Sequence, residues 1–495
     1  MANEIGNSVA RNTSIMMGSQ IITWISSFIL LLFLPKYLGS QGYGQLYLGI
    51  SVAMIMSIII DFGGNYLIPK EIAKEKEKTP EILISYMGIR IVIWFLCLVV
   101  ALLFFYLADY SKTILLVVSI LCVSKLWEGI AKAIRSLFQG HEMMEYPSIG
   151  MIAEKIFISA FAVTALLLGK GVITIALIMA GGIAIKLLIN TSLLPKIVDV
   201  FPKFEIKGSI DLIKSSIPYF LWSVFAVIYY RIDAVMLSIM QGEQVVGWYG
   251  GAYRFFDIAM FFPSIITTVI FPIFSKLSSK KSHKFKETFQ TSLRYMLLVG
   301  IPIMIVFLFY ARDLVKVFYG LNGYEPSILI LQVFAPGVLL VYTDFILGSS
   351  ILAGNNQKTL AKVGFAAIFL NLILNYFLIG FAQSLVGNAG VGAAVSTIIT
   401  ELFILVSAVK ILPNYYFKNI SFDLFLKSTL AGFVFTVLVF VFQTTAIYWL
   451  IQILVSLGLY FYFAVKTGFV EEHEVEFIKQ FLRRNASKFL ITQSK

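Results

Sequence analysis

Thirteen ionisable side chains interrupt the long apolar stretches of this 495-residue sequence. Six are cations: Arg90, Lys125, Lys155, Lys186, Arg231 and Arg254. Seven are acids: Asp61, Glu128, Glu154, Asp233, Asp257, Asp344 and Glu401. Charges in apolar surroundings pair with each other, line a wet cavity, carry a proton or ion, or meet a charged ligand. Residues 1–195 hold four of the cations and three of the acids, residues 214–412 two and four. An anionic ligand therefore favours the first half. Metal and cofactor chemistry finds no support: His141, His283 and His473 lie in separate polar connections, and the only cysteines, Cys97 and Cys122, lie in apolar runs.

Spacing sorts these groups further. Lys125 and Glu128 are i,i+3, and Glu128 and Lys132 are i,i+4, so on a helix all three share a face. Arg254 and Asp257 are also i,i+3. Arg231, Asp233, Arg254 and Asp257 then form either a structural charge cluster or a cluster that leaves one arginine for a ligand. Arg90 and Lys186 have no acid one turn away. They either reach towards the membrane interface or bind an anion in a cavity, and they join Lys125 and Arg254 as candidate ligand-binding cations. Lys155 follows Glu154 directly, and neighbours in a helix point about 100° apart. Asp344 and Glu401 lack a cation at helical spacing. They are candidates for binding a driving proton or sodium ion, or for a protonated carboxyl hydrogen-bonded across helices.

The elements that must position these groups are membrane helices. The chain is 59% apolar and 13% charged, with mean hydropathy +0.88, whereas soluble domains are about a quarter charged. Fourteen apolar runs can be drawn, near 13–35, 45–66, 82–108, 113–137, 148–169, 172–195, 214–240, 246–272, 294–310, 327–353, 359–381, 388–411, 424–443 and 446–465. They are too long for the strands of a barrel, and lipid leaves the helix as the way to satisfy the backbone. The expectation is an all-α integral membrane protein of about fourteen spans, with a retained first span and little chain left for a soluble domain.

Lysine and arginine set the orientation. Twenty-eight fall on alternate connections and at the two ends, five on the opposite connections, and six within spans. That asymmetry puts both termini in the cytoplasm. It also accounts for the net charge of +12 without a nucleic-acid partner. The basic connection 276–293 and the amphipathic tail, with apolar residues at Val475, Phe477, Ile478, Phe481 and Leu482, could lie on the anionic inner leaflet, although ordinary topology charge explains them too.

The chain also repeats. LGSQGYGQLYLGISVA at 38–53 aligns with QGEQVVGWYGGAYRFF at 241–256, placing Gly44 against Gly247, and SLFQG ending at Gly140 aligns with ILAG ending at Gly354. These anchors define two parallel six-helix halves: 1–195 with spans 1–6 and 214–412 with spans 7–12. A cytoplasmic linker, 196–213, joins them. Spans 13 and 14 occupy 413–467, and 468–495 is the cytoplasmic tail.

The chain resembles the polysaccharide-export flippases, the O-antigen type, of the multidrug/oligosaccharidyl-lipid/polysaccharide transporters. The residues that carry this are Leu38-Gly39 with Tyr43-Gly44, Asp61-Phe62-Gly63-Gly64 before a basic connection, Arg231-Ile232-Asp233, Val246-Gly247-Trp248-Tyr249 and Ala252-Tyr253-Arg254. The resemblance implies a V-shaped, MATE-like pair of lobes with alternating access. It implies a multi-pass protein of the cytoplasmic membrane that moves a polyprenyl-pyrophosphate-linked oligosaccharide for surface polysaccharide assembly. Membrane lipids and the glycosyltransferases or polymerase of the same pathway are the implied partners. The first span lacks the arginines of the related lipid II flippases. Two alternatives stand beside this reading. A cation-coupled multidrug antiporter of the same fold suits the acidic second half but lacks an acid in span 1. A polyprenyl-dependent glycosyltransferase or polymerase would need a catalytic outer loop, and the longest, about 311–326, has only Asp313 and Glu325 as acids. The chain is read as a transporter with no catalytic residues of its own.

Overall fold

The computed structural model describes residues 2–198, 206–278, 283–354, 356–417, 422–443 and 448–469. The described residues are almost wholly helical. The first helices are α1 (Ala2–Asp61), α2 (Gly64–Lys74), α3 (Thr79–Leu107), α4 (Lys112–Gly140), α5 (Glu145–Leu167) and α6 (Val172–Leu193). Next come α7 (Ile206–Gln241), α8 (Glu243–Ala259), α9 (Phe261–Ser278), α10 (His283–Phe309), α11 (Ala311–Phe318) and α12 (Pro326–Ala353). The last are α13 (Gln357–Val386), α14 (Ala389–Ile411), α15 (Asn414–Phe417), α16 (Phe422–Gln443) and α17 (Trp449–Lys466).

Where the residues are described, the apolar runs are helical, although 45–66 is split between α1 and α2 and 246–272 between α8 and α9. Among the described residues, eleven helical stretches are long and apolar enough to cross a membrane. Two runs share α1, whose 60 residues would run about 90 Å if straight, far beyond one bilayer. Gly39 divides it, with φ 67° and ψ 173°, a combination open essentially to glycine alone. The surface agrees with a lipid environment. On α3, Leu96, Val100, Leu103 and Leu107 are 53–72% exposed, an apolar stripe that water would not tolerate. Helix α7 begins at Ile206, inside the segment expected to be a linker, while the tail from 470 onward and 279–282 of the basic connection lie outside the described residues.

The chain forms two compact units. The first comprises Met1–Arg254, Val315–Ser327 and Gly364–Ser396; the second comprises Phe255–Leu314, Ile328–Val363 and Thr397–Lys495. In the first, α1 packs on α4 and α5, and α6 packs on α4 and α5. Its core includes Ile68, Ile72, Leu83, Tyr86, Leu137 and Phe138. In the second, α10, α16 and α17 enclose Leu298, Ile305, Tyr310, Phe435 and Tyr460, so the last two spans are built into a core.

The repeated glycines meet inside the first unit. A Cβ on Gly44 would lie 1.9 Å from the carbonyl oxygen of Glu243, and one on Gly247 would lie 1.9 Å from that of Ser40. Backbone thus packs on backbone where α1 crosses α8, and only glycine permits that approach. Glu243, beside the crossing, accepts from Gln45 at 3.1 Å and Gln41 at 3.4 Å.

Candidate functional site

Helices α4, α5 and α6 bring six charged side chains into one network. On α4, Glu128 accepts from Lys125 one turn before it and pairs with Lys132 one turn after it at 3.0 Å. Lys132 also donates to the hydroxyl of Ser57 on α1 at 2.8 Å. On α5, Glu154 pairs with Lys155 at 3.3 Å and, across to α6, with Lys186 at 2.6 Å. Helix α4 packs on α6, which brings the two triads together. At formal charge, four lysines and two glutamates leave +2.

Glycines set the approach of α5 to α6. A Cβ on Gly182 would collide with Ile158 at 2.4 Å and lie 3.3 Å from the Glu154 carbonyl; one on Gly150 would meet Asn190 at 2.4 Å and the Lys186 carbonyl at 3.3 Å. Each glycine sits one turn from a charged residue of its own helix and beside the backbone of the other partner. The carboxylate and ammonium can therefore touch without long side chains having to stretch. The network is not sealed: Lys132 is 23% and Lys155 30% exposed, while Lys125 and Lys186 are each 12%.

Arg90 stands apart. Its Nη2 pairs with Asp61 Oδ1 at 2.6 Å, and the two side chains are 0% and 1% exposed. Its Nη1 donates to the carbonyl of Gly129 on α4, and its guanidinium lies 5.8 Å from the ring centre of Tyr86. The other oxygen of Asp61 accepts from the backbone N–H of Asn65, at the start of α2. Arg90 thus ties α3 to α1, α2 and α4. The expectation of an Arg90 without an acid partner is corrected: the acid it lacks along its own helix is supplied by α1, and both side chains are buried. Lys186 likewise gains a partner from a neighbouring helix but remains in the open network with Lys125.

The other expected residues are dispersed. Arg231 donates to the Tyr47 hydroxyl at 3.1 Å and lies over the rings of Tyr47 and Tyr253. Asp233, 2% exposed, accepts from Tyr249 and from Asn375 Nδ2, both at 2.6 Å. Asn375 also donates to Asn371 at 2.9 Å, and Asn371 meets Ser396. This buried polar chain through α7, α8, α13 and α14 was not recognised from sequence, although Asn371 and Asn375 stand one turn apart on an apolar helix. Arg254 is half-buried at the end of the first unit, and Asp257 lies on the next turn of α8 in the second unit. In the second unit both Asp344 oxygens are buried without a nitrogen or hydroxyl donor, and the Glu401 carboxyl is their neighbour. Two carboxyls in contact can hydrogen-bond only with a proton between them. Among the described residues, no group of three or more His, Cys, Asp or Glu could hold a metal ion.

Comparison with known proteins places this arrangement. The family model for polysaccharide biosynthesis proteins matches residues 9–278, more than half of the chain, and the MatE model matches 218–377. No curated protein matches the sequence. Among solved structures, the chain is similar to the lipid II flippase MurJ in an inward closed conformation, with TM-score 0.73 and 18% identity over 92% of this chain and 98% of that one. It is also similar to an inward-facing multidrug resistance MATE family transporter of the MOP superfamily, with TM-score 0.65 and 12% identity over 81% and 96% of the two chains. For the MATE multidrug transporter DinF-BH in complex with R6G the TM-score is 0.57, with 14% identity over 83% and 96%. These identities speak to the fold. With the family match they make the chain a member of the polysaccharide biosynthesis protein family, a multi-pass membrane protein on the fold of the MOP-superfamily transporters.

Proposed function

We propose that the protein is a flippase that carries a polyprenyl-diphosphate-linked oligosaccharide across the cytoplasmic membrane by alternating access, with both termini in the cytoplasm. The observation that carries this reading is the network on α4–α6. A site with an excess of two positive charges, placed among membrane spans, attracts an anionic headgroup and repels a cation. Lys125, Lys132, Lys155 and Lys186 supply the ammonium groups for the phosphates, and charge-assisted hydrogen bonds of this kind contribute roughly 1.5–3 kcal/mol each. Arg254, half-buried on α8, is kept as a further candidate contact. Asp344 and Glu401 are proposed to take up the driving proton or sodium ion. Glycosyltransferases and a polymerase of the same pathway would supply and consume the lipid-linked glycan.

The MatE match favours a second reading, a cation-coupled multidrug antiporter, but a lysine-rich network disfavours the cationic drugs such a protein would export. Proteoliposomes separate the two. With a fluorescent prenyl-diphosphate oligosaccharide, the protein should speed the loss of leaflet asymmetry, and Lys125→Gln with Lys186→Gln should abolish the acceleration. No acceleration by the wild type, together with gradient-driven efflux of an amphiphilic cationic dye, would replace the flippase by the antiporter.

A further inference from the structure

Acids are unexpected in a site for an anion. Glu128 and Glu154 each cancel one lysine, weaken the attraction for any phosphate, and occupy ammonium donors that the ligand would use. Their geometry is nevertheless deliberate in form: each carboxylate forks between two lysines, Lys125 and Lys132 for one, Lys155 and Lys186 for the other. Four ammonium groups alone would repel one another and hold any anion that entered. With the two glutamates the excess is +2, spread over an array fixed by three helices and by the Gly150–Gly182 approach.

We propose that Glu128 and Glu154 determine specificity by setting the number of charges the site accepts. This rests on the flippase reading and names the part of the carrier that is selected. A glycan joined to a lipid through a diphosphate is a diester with two ionised oxygens, and +2 matches it. A lipid joined through a single phosphate carries one charge and leaves the array under-compensated. The bare prenyl diphosphate left after glycan transfer has an extra ionisable oxygen, with a charge of about −3 at pH 8 because the terminal phosphate titrates near 6, and exceeds the match. Where water is scarce a charge mismatch is strongly unfavourable, so charge counting separates the loaded diphosphate carrier from both relatives. Glu128 and Glu154 act through the lysines and are positioning residues; they need not touch the phosphate.

The test measures binding of three short-chain prenyl probes to the purified full-length protein at pH 8 and constant salt: a sugar diphosphate diester, a sugar phosphodiester, and a free prenyl diphosphate. The wild type should bind the first at least about tenfold more tightly than either of the others. Glu128→Gln raises the excess to +3 and should move the preference about tenfold towards the free diphosphate. Lys125→Gln lowers it to +1 and should move the preference towards the phosphodiester. The double variant Lys125→Gln/Glu128→Gln returns to +2 and should restore the wild-type order even if its absolute affinity is lower. That restored order is the readout a structural role would not produce, and it remains available if a single variant does not fold. Unchanged ratios among the three probes in the single variants, or a double variant with an altered order, would overturn the proposal while leaving the flippase reading in place. Absence of saturable binding of all three probes to the wild type would instead remove the flippase reading, and the proposal with it.

Discussion

Two ion assemblies in the first unit are made from similar side chains and differ in stoichiometry and access. Arg90 and Asp61 are one cation and one anion, sealed at 0% and 1% exposure, and they also hydrogen-bond to the backbone of Gly129 and Asn65. The α4–α6 network has four cations for two anions and is open on the sides of Lys132 and Lys155. The first arrangement can hold helices together but has nothing to offer a ligand. The second has charge left over and lysines that are partly exposed. Burial of a charge does not by itself separate a strut from a binding group; the count of partners and the presence of an open side do.

The largest effect that would test this contrast is at Arg90. Arg90→Gln leaves the Asp61 carboxylate buried beside a neutral group, and breaking such a pair destabilises by about 3–5 kcal/mol. Yield and melting temperature in detergent should fall sharply, and Arg90→Gln/Asp61→Asn should recover most of the loss because no unpaired charge remains. A single variant that folds normally but loses transport would move Arg90 into the binding set.

Lys186→Gln should do the opposite. Glu154 keeps Lys155, so folding should hold, while apparent affinity for a prenyl-diphosphate probe should fall roughly tenfold to a hundredfold, as expected for one charge-assisted hydrogen bond of about 1.5–3 kcal/mol. A large drop in melting temperature with unchanged affinity would make the network another strut.

The carboxyl pair of the second unit, Asp344 and Glu401, has an excess of acid. Asp344→Asn removes one titrating oxygen pair and should weaken the dependence of transport on an imposed proton or sodium gradient, with a smaller change in gradient-free exchange. Equal gradient dependence in Asp344→Asn, Glu401→Gln and the wild type would assign the pair a packing role.

The smallest effect expected is outside the spans. His141, after α4, bonds to the Thr79 hydroxyl at 2.8 Å. Partial burial, and then the charge of Lys76, hold its pKa below the ordinary value near 6.5. The fold prefers the neutral ring, so its contribution is complete above that value and is lost as pH falls through and below it. Thermal stability should decline slightly from pH 7.5 to 5.5, and His141→Gln should remove that part of the slope.

Much of the architecture could be read before the structure because lipid imposes a simple rule. Every apolar run had to be helical, and the described ones are, with breaks inside 45–66 and 246–272 that hydropathy does not mark. The local triad Lys125–Glu128–Lys132 was legible for a similar reason, since i,i+3 and i,i+4 spacing fixes neighbours on one helix. Arg90 and Lys186 were isolated under the same test, because their partners, Asp61 and Glu154, come from other helices. The Glu154–Lys155 contact was underrated as well: adjacent residues diverge at the backbone, but a long lysine side chain can turn back. Adjacent small residues in an apolar run, as at Gly181-Gly182, mark a place for close helix contact. That Gly150 opposes it could be learned only once α5 and α6 were brought side by side.

The crossing of Gly44 and Gly247 has a consequence for how the sequence can change. These positions, aligned in the repeat read from the sequence, are mutual neighbours, each facing the main chain of the other segment. Neither can vary alone: a side chain gained at either position strikes the backbone of the other segment, and no smaller residue exists with which the other could compensate. The two segments are bound to a shared history at this point.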